Sequence, residues 1–308
     1  MIVVKNLKKS YGNFLALKGI SFEVKKGEIL ALLGPNGAGK TTTMKIITGF
    51  MASSEGDVFL DDISITDHAL ENQAKLGYLP ENTPLYHDLN VYEHLDFSSE
   101  VHGITGIKKE KAIKDAIKAC GLEKHLYFNI SELSKGYKQR VGLAQAIIHD
   151  PEFLILDEPT TGLDPNQIIE IRELIKNLGK KKTIILSTHI MQEVEAMADR
   201  VVVINEGKIA AEGTPKDLIK ESDGTHNTSI TVKGLQKDVI KVLESVEGVN
   251  SVKKLKALEK EVYVYSVVSN EDIRMNLNKA IVKADLDLLE IKTEQKSMED
   301  VFHNLNKK

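Results

Sequence analysis

Short apolar runs separated by glycine-bearing turns open the chain: Ile2–Val4, a turn at Tyr11-Gly12-Asn13, Ile20–Val24, a turn at Lys25-Lys26-Gly27, then Ile29–Leu33. Runs of this kind read as buried strands. Thr42–Thr48 has helical spacing instead, with Met44, Ile47 and Thr48 on one face. Gly49 ends that helix, and Gly56–Asp62 predicts a further strand and turn. From Val91 to about Asp150 the period is helical. Ile113, Ala116 and Ile117 align within Lys108–Cys120, and Val141, Ala144, Gln145 and Ile148 within Lys138–Ile148. Strands and helices then alternate through Phe153–Leu156, Ile168–Leu178, Thr183–Leu186, Gln192–Ala198 and Val201–Ile204. Alternation with strands that are apolar throughout means an α/β fold whose parallel sheet is covered on both faces. A turn at Asn205–Lys208 leads to a closing strand and a helix ending near Lys220.

Glu221–Asn227 is polar and reads as a linker. Beyond it come a strand (Ser229–Val232), a helix (Lys237–Val246), two strands (Val249–Lys253, Glu261–Val268), a helix (Asp272–Ala284) and a strand (Leu288–Thr293). The order β-α-β-β-α-β is the ferredoxin-like split unit, a small α+β domain. A last helix is expected from Ser297, aligning Met298, Val301, Phe302 and Leu305. The expected partition is 1–220, with a helical subdomain at about 85–150, a linker at 221–227, and an accessory domain at 228–308.

Length and composition narrow the class. The 308 residues, 42% hydrophobic and 28% charged, suit one or two globular domains rather than a disordered chain. Net charge is −4, with 14 basic and 15 acidic residues from Glu221 onward. Neither part is basic, which argues against a non-specific nucleic-acid binder. The single cysteine, Cys120, forms no internal disulfide and reads as a small buried residue on a helix. The N-terminus enters strand-like sequence with no signal peptide, and no apolar run approaches the ~20 residues that span a bilayer. A cytoplasmic location is expected, with any membrane role exercised through a partner.

The chemistry centres on Gly34-Pro35-Asn36-Gly37-Ala38-Gly39-Lys40-Thr41-Thr42, which fits G-x-x-x-x-G-K-[ST]. In that loop backbone N–H groups cradle phosphates, the lysine reaches the terminal ones, and the hydroxyl takes Mg²⁺. An apolar strand before it and a helix after it place the positive end of the helix at the phosphates. Phe153–Leu156 is a second apolar strand, ending in Asp157 and Glu158. In phosphate-loop enzymes the aspartate at this place helps hold Mg²⁺ with the loop hydroxyl, which assigns Thr41 and Asp157 to the metal. A second carboxylate beside the γ-phosphate can polarise water, which makes Glu158 the general base. Ser131–Arg140 offers a serine and a glycine at a helix start, either as phosphate contacts or as an ordinary helix cap.

Taken in order, these stretches resemble the motifs of the ATP-binding subunits of ABC transporters, over about residues 1–220. Gly34–Thr42 is similar to the Walker A loop, Leu133-Ser134-Lys135-Gly136-Tyr137 to the LSGGQ signature, and Leu156-Asp157-Glu158-Pro159 to Walker B. Thr161-Gly162-Leu163-Asp164 resembles the D-loop and Ser187-Thr188-His189 the switch histidine. Tyr11 stands where the family has an aromatic stacked on adenine; the bland alternative is an edge tyrosine packed on its sheet. For His189 that alternative is a strand-end histidine bonded to backbone. The signature departs at Lys135 and Tyr137, and Glu81 stands in Gly77-Tyr78-Leu79-Pro80-Glu81 where the Q-loop usually has glutamine. Glutamate adds a charge near Mg²⁺ and the γ-phosphate, which bears on the tuning of hydrolysis.

The resemblance implies a P-loop ABC-type ATPase with an antiparallel β subdomain and a helical subdomain. It implies ATP contacts from Tyr11, from Asn36 through Thr42 (Asn36, Gly37, Ala38, Gly39, Lys40, Thr41, Thr42), and from Ser134, Gly136 and Asp164. It implies Mg²⁺ at Thr41, Glu81 and Asp157, and catalysis by Glu158, His189 and Lys40. Two subunits would pair head to tail around two ATP and drive a separate integral-membrane permease from its cytoplasmic face. The run Gly77–Tyr86 with Ser134–Tyr137 is most similar to the exporter group that includes daunorubicin-resistance and gliding-motility-associated ATPases. The competing class is a soluble ABC ATPase with a regulatory or nucleic-acid-related role. A translation ATPase would carry two cassettes, and a repair ATPase a long coiled coil between Lys40 and Ser134; this chain has neither pattern. Tyr263 and Tyr265 share a strand face, which an RNA-binding module could use for stacking. Flanking Glu259 and Glu261 favour a packed or dimer-facing pair, and no nucleic acid is expected.

Overall fold

Strand pairing runs well past the short apolar stretches at the N-terminus. The computed structural model describes residues 1–221 and 226–294. In it β1 (Ile2–Tyr11) and β2 (Phe14–Val24) form a hairpin around Gly12-Asn13, with Ile2 opposite Val24 and Tyr11 opposite Phe14. Val4 and Leu7 are an odd number of residues apart, yet both are buried. A register shift between them, with Asn6 at φ 46°, turns the strand so that both face inward. The polar residues Lys5 and Asn6 are therefore absorbed into β1 as its exposed side rather than ending it.

β3 (Ile29–Leu33) is buried at all five positions and runs through the phosphate loop into α1 (Lys40–Ile47). β4 (Glu55–Leu60) and β5 (Ile63–Ser64) complete an antiparallel sheet in the order β2-β1-β4-β5. α2 (Ala69–Ala74) leads to β6 (Leu76–Leu79). The helical segment follows: α3 (Val91–Val101), α4 (Gly106–Cys120) and α5 (Lys135–Ile147). A reciprocal Asn90–Glu93 capping box starts α3, and Gly121 at φ 64° ends α4. Cys120 is wholly buried there, and burial pushes its thiol up to about 12. Its carbonyl accepts from Arg140 Nη1 at 2.9 Å.

Alternation then gives β7 (Phe153–Asp157), α6 (Pro165–Gly179), β8 (Thr183–Thr188), α7 (Met191–Met197), β9 (Arg200–Asn205), β10 (Lys208–Gly213) and α8 (Pro215–Glu221). The six-stranded sheet has the order β10-β9-β3-β8-β7-β6, parallel except for β10. Met44 and Ile47 of α1 lie in one core with Ile2, Phe22 and Val58 of the antiparallel sheet and Leu32, Ile155 and Ile185 of the parallel one. Each such fully buried side chain contributes roughly 1.5–3 kcal/mol. That shared core fixes α1, and with it the phosphate loop, against both sheets.

The chain divides into two compact units, Met1–Pro215 and a second beginning at Lys216. The second unit runs β11 (His226–Lys233), α9 (Gln236–Glu244), β12 (Val249–Glu259), β13 (Val262–Ser269), α10 (Arg274–Lys283) and β14 (Asp287–Glu294). Its antiparallel sheet has the order β12-β13-β11-β14. β11 begins at His226, so His226 and Asn227 belong to the strand rather than to a linker; Asn227 Oδ1 accepts from Ser266 Oγ at 2.6 Å. β12 continues through Lys254–Glu259, because pairing with β13 carries residues that no apolar pattern marks. Tyr265 is buried in a core with Val239, Leu243, Leu277 and Ile281, and Tyr263 lies edge-on to it at 6.2 Å. Tyr265 is thus a packing residue and offers no stacking surface. The helix expected from Ser297 to Leu305, and most of the expected linker, lie outside the described residues.

Candidate active site

Strand register gathers the chemistry along one edge of the parallel sheet. Leu33, last of β3, is level with Thr188 at the end of β8, and Asp157 at the end of β7 is level with Ser187. Leu79 of β6 pairs with Leu156. The carboxyl ends of four neighbouring strands therefore deliver the phosphate loop, His189, Asp157-Glu158 and Glu81 to the same side, where open α/β sheets bind ligands.

A cleft of about 400 Å³ opens there. Tyr11, Asn36, Gly37, Gly39, Lys40, Thr41 and Thr42 line one part of it, and Glu81, Glu158 and His189 the other. Gly37 and Gly39 take φ 81° and 112°, a backbone open to glycine at little cost. A Cβ on Gly39 would also stand 2.6 Å from Leu17 Cδ2 and 3.1 Å from the Ala16 carbonyl. Ala38 is buried beneath the loop, where its carbonyl accepts from Gly207 N at 3.0 Å. The N–H groups of Lys40, Thr41 and Thr42 belong to the first turn of α1 and have no carbonyl within the helix, which suits them to phosphate oxygens.

Lys40 is only 5% exposed. Its ammonium donates to the carbonyls of Gly34 (2.8 Å) and Pro35 (3.3 Å) and lies 3.4 Å from Glu158 Oε1. A buried charge needs such partners, and of these Glu158 lines the cleft. Thr41 Oγ1 donates to Asp157 Oδ1 at 3.3 Å, and Ser187 Oγ donates to the same oxygen at 2.5 Å. These hydroxyl and carboxylate oxygens, with Glu81 across the cleft, are the donors Mg²⁺ takes when it also binds substrate phosphates.

Glu158 sits at φ 48°, a conformation that a non-glycine residue keeps only when its surroundings hold it. Its N–H is held by Ser187 Oγ at 3.0 Å and the Ser187 carbonyl at 3.2 Å. Its Oε2 accepts from Thr161 Oγ1 at 3.1 Å and faces His189 Nδ1 at 2.8 Å. His189 is therefore paired with a carboxylate side chain rather than with backbone.

Five expected residues do not line the cleft: Ala38 and Asp157 are buried, and Ser134, Gly136 and Asp164 stand elsewhere. Ser134 caps α5, accepting from Tyr137 N at 3.4 Å, and Gly136 packs so closely on Gln167 that a Cβ would stand 2.6 Å from it. Asp164 caps α6 through Asn166 N (3.0 Å) and Gln167 N (2.9 Å). None of the three lines the cleft. Conversely, Phe14, Ala16 and Thr161 line it without having been expected there. Phe14 was within reach of sequence reasoning, since a two-residue hairpin turn sets it opposite Tyr11.

A family model described as ABC transporter matches residues 17–161. The linearmycin resistance ATP-binding protein LnrL of Bacillus subtilis is 33% identical over 306 residues, 99% of this chain and 98% of that protein. The chain belongs to the ABC transporter family. Like its ATP-binding members, this ABC subunit is an ATPase. The lantibiotic transport ATP-binding protein SrtF of Streptococcus pyogenes is 38% identical over 228 residues, 74% of this chain and 93% of that protein. Among solved structures, a dimeric ATP-binding cassette in a post-hydrolysis state with ADP and Pi is similar with a TM-score of 0.64. It is 27% identical and covers 70% of the ABC subunit and 98% of the cassette.

Proposed function

We propose that the chain is the ATP-hydrolysing subunit of an exporter, paired head to tail with a second copy and driving a separate integral-membrane permease. Export is supported by the names of the relatives, which concern linearmycin resistance, lantibiotic transport and, for a 38% identical Burkholderia protein, Nod factor export. Pairing is supported by the dimeric cassette and by Ser134 and Asp164, which are exposed and stand away from the cleft of their own chain, where they can face the ATP of a partner. Among the described residues no helix is long and apolar enough to cross a membrane, so attachment at the cytoplasmic face is assigned to the permease. Two adjoining hollows that share His102 and Gln145 expose Phe50, Tyr86, Phe97 and Val101, an apolar patch suited to that docking.

The arrangement of Lys40, Glu158 and His189 around one cleft carries the reading. Tyr11 stacks on adenine, while Asn36–Thr42 and Lys40 bind the phosphates. Thr41, Asp157 and Glu81 would hold Mg²⁺, which when bound offsets the charge that develops on the β- and γ-phosphates. Glu158 accepts a proton from the attacking water as the water oxygen–phosphorus bond forms and the bond to the ADP oxygen breaks. His189, held by Glu158, contacts the γ-phosphate. The β-α-β-β-α-β element order supports reading the second unit as a ferredoxin-like split fold, and its assigned role is to stabilise or regulate the ATPase pair. The assigned boundaries are an ATPase domain at 1–220 and an accessory domain from His226, where β11 begins.

The test is recovery of partners from detergent-solubilised membranes with tagged wild-type protein and Glu158→Gln in ATP. A multi-span protein recovered with both supports the exporter reading. Recovery of soluble partners alone would overturn the permease assignment while leaving the ATPase chemistry intact.

A further inference from the structure

Glu193 of α7 is wholly buried and does not line the cleft. Its Oε1 accepts from Thr160 Oγ1, and its Oε2 accepts from Thr188 Oγ1 at 2.7 Å. Both threonines are themselves buried. Thr188 Oγ1 also accepts from Ile190 N at 3.0 Å, which closes the chain tightly around His189. Arg172 of α6 stands 3.8 Å from Oε1, its Nε buried without a partner among the described residues. One carboxyl group thus joins the turn after β7 to the end of β8.

Those two segments carry the hydrolytic pair. Thr160 lies between Glu158 and Thr161, and Thr161 N donates to the Glu158 carbonyl at 3.2 Å. Thr188 directly precedes His189. The pair Glu158–His189 spans two loops, and each loop is held on its buried side by an oxygen of Glu193. A carboxyl group is costly to bury, and simple packing would be served by an apolar residue of similar size.

We infer that Glu193 is a positioning residue for hydrolysis: by holding Thr160 and Thr188 it sets the distance between Glu158 and His189. The inference rests on the assignment of Glu158 and His189 to the chemistry. Placement by a rigid supporting group acts on the chemical step and leaves ground-state ATP binding largely untouched.

The test measures ATP hydrolysis and equilibrium ATP binding by the purified full chain for Glu193→Ala, Glu193→Gln, Thr160→Val, Thr188→Val and Glu158→Gln. For Glu193→Ala, kcat should fall about tenfold or more while the ATP Kd stays within about threefold. Glu193→Gln keeps the size and can bond both threonines, so it should recover part of that loss. Each valine variant should lower kcat, and adding Glu193→Ala to the double valine variant should cost little more, because all act through one cluster. A folded Glu193→Ala protein with kcat within about twofold of wild type would overturn the inference. If that variant does not fold, the double valine variant decides, and unchanged kcat there overturns it equally. Turnover retained by Glu158→Gln would remove the underlying assignment; turnover lost in Glu158→Gln but kept in the Glu193 variants removes only the role of Glu193.

Discussion

His189 Nδ1 and Glu158 Oε2 stand 2.8 Å apart, although 31 residues separate them in sequence. The contact follows from parallel pairing of β7 and β8, which sets their ends side by side. Glu158→Gln keeps the shape but removes the proton acceptor. Hydrolysis should slow by at least about tenfold with ATP binding retained, measured as phosphate release beside nucleotide binding. His189→Ala should act in the same direction.

Tyr11 is 45% exposed and lines the cleft, its hydroxyl donating to Met51 Sδ at 3.0 Å and Lys9 Nζ standing 5.6 Å from its ring centroid. Loss of face stacking is worth on the order of 1 kcal/mol. Tyr11→Ala should raise the ATP Kd several-fold by equilibrium titration, and Phe14→Ala, one step across the hairpin, should do so less. An unchanged Kd for Tyr11→Ala would remove that ring from the site.

Gly39 combines a left-handed backbone with a space too small for a Cβ. Gly39→Ala should cost roughly 1–3 kcal/mol in strain, seen as a lower Tm. It should weaken ATP binding further by displacing the loop N–H groups. Gly37→Ala meets no atom within 4 Å and should be milder.

His149 stacks on His102 with ring centroids 3.9 Å apart, and its Nε2 pairs with the Leu76 carbonyl at 3.0 Å. Burial first, then the neighbouring His102, lowers its pKa from 6.5 to about 4, with Lys182 nearby adding to the effect and Asp150 opposing it. A folded-state value below the unfolded one means that the neutral ring favours the fold. Stability is then full above about pH 6.5 and declines as pH falls toward 4. Tm should drop between pH 7 and pH 5, and drop less in His149→Gln, whose amide can donate to Leu76 without titrating.

Much of the site was legible in sequence because its motifs are local. The Gly34–Thr42 loop, the Asp157-Glu158 strand end and the helix cap at Ser134 each stand within a few residues. What was not legible is what pairing across the sheet creates. The grip of Ser187 on Glu158 joins residues 29 apart and that of Glu193 on Thr160 residues 33 apart, and no spacing along the chain encodes either. The polar stretches of β1 and β12 escaped for a related reason: their strand state comes from a neighbour, not from their own apolar pattern.

The only cysteine ends α4 inside the helical segment with no access to solvent and a thiol that stays protonated at neutral pH. A thiol reagent can therefore modify Cys120 only when that segment opens. The protein carries its own labelling clock: the rate of Cys120 modification reports the opening free energy of the helical segment. A cysteine placed on the surface can meanwhile take a probe without first removing the native one.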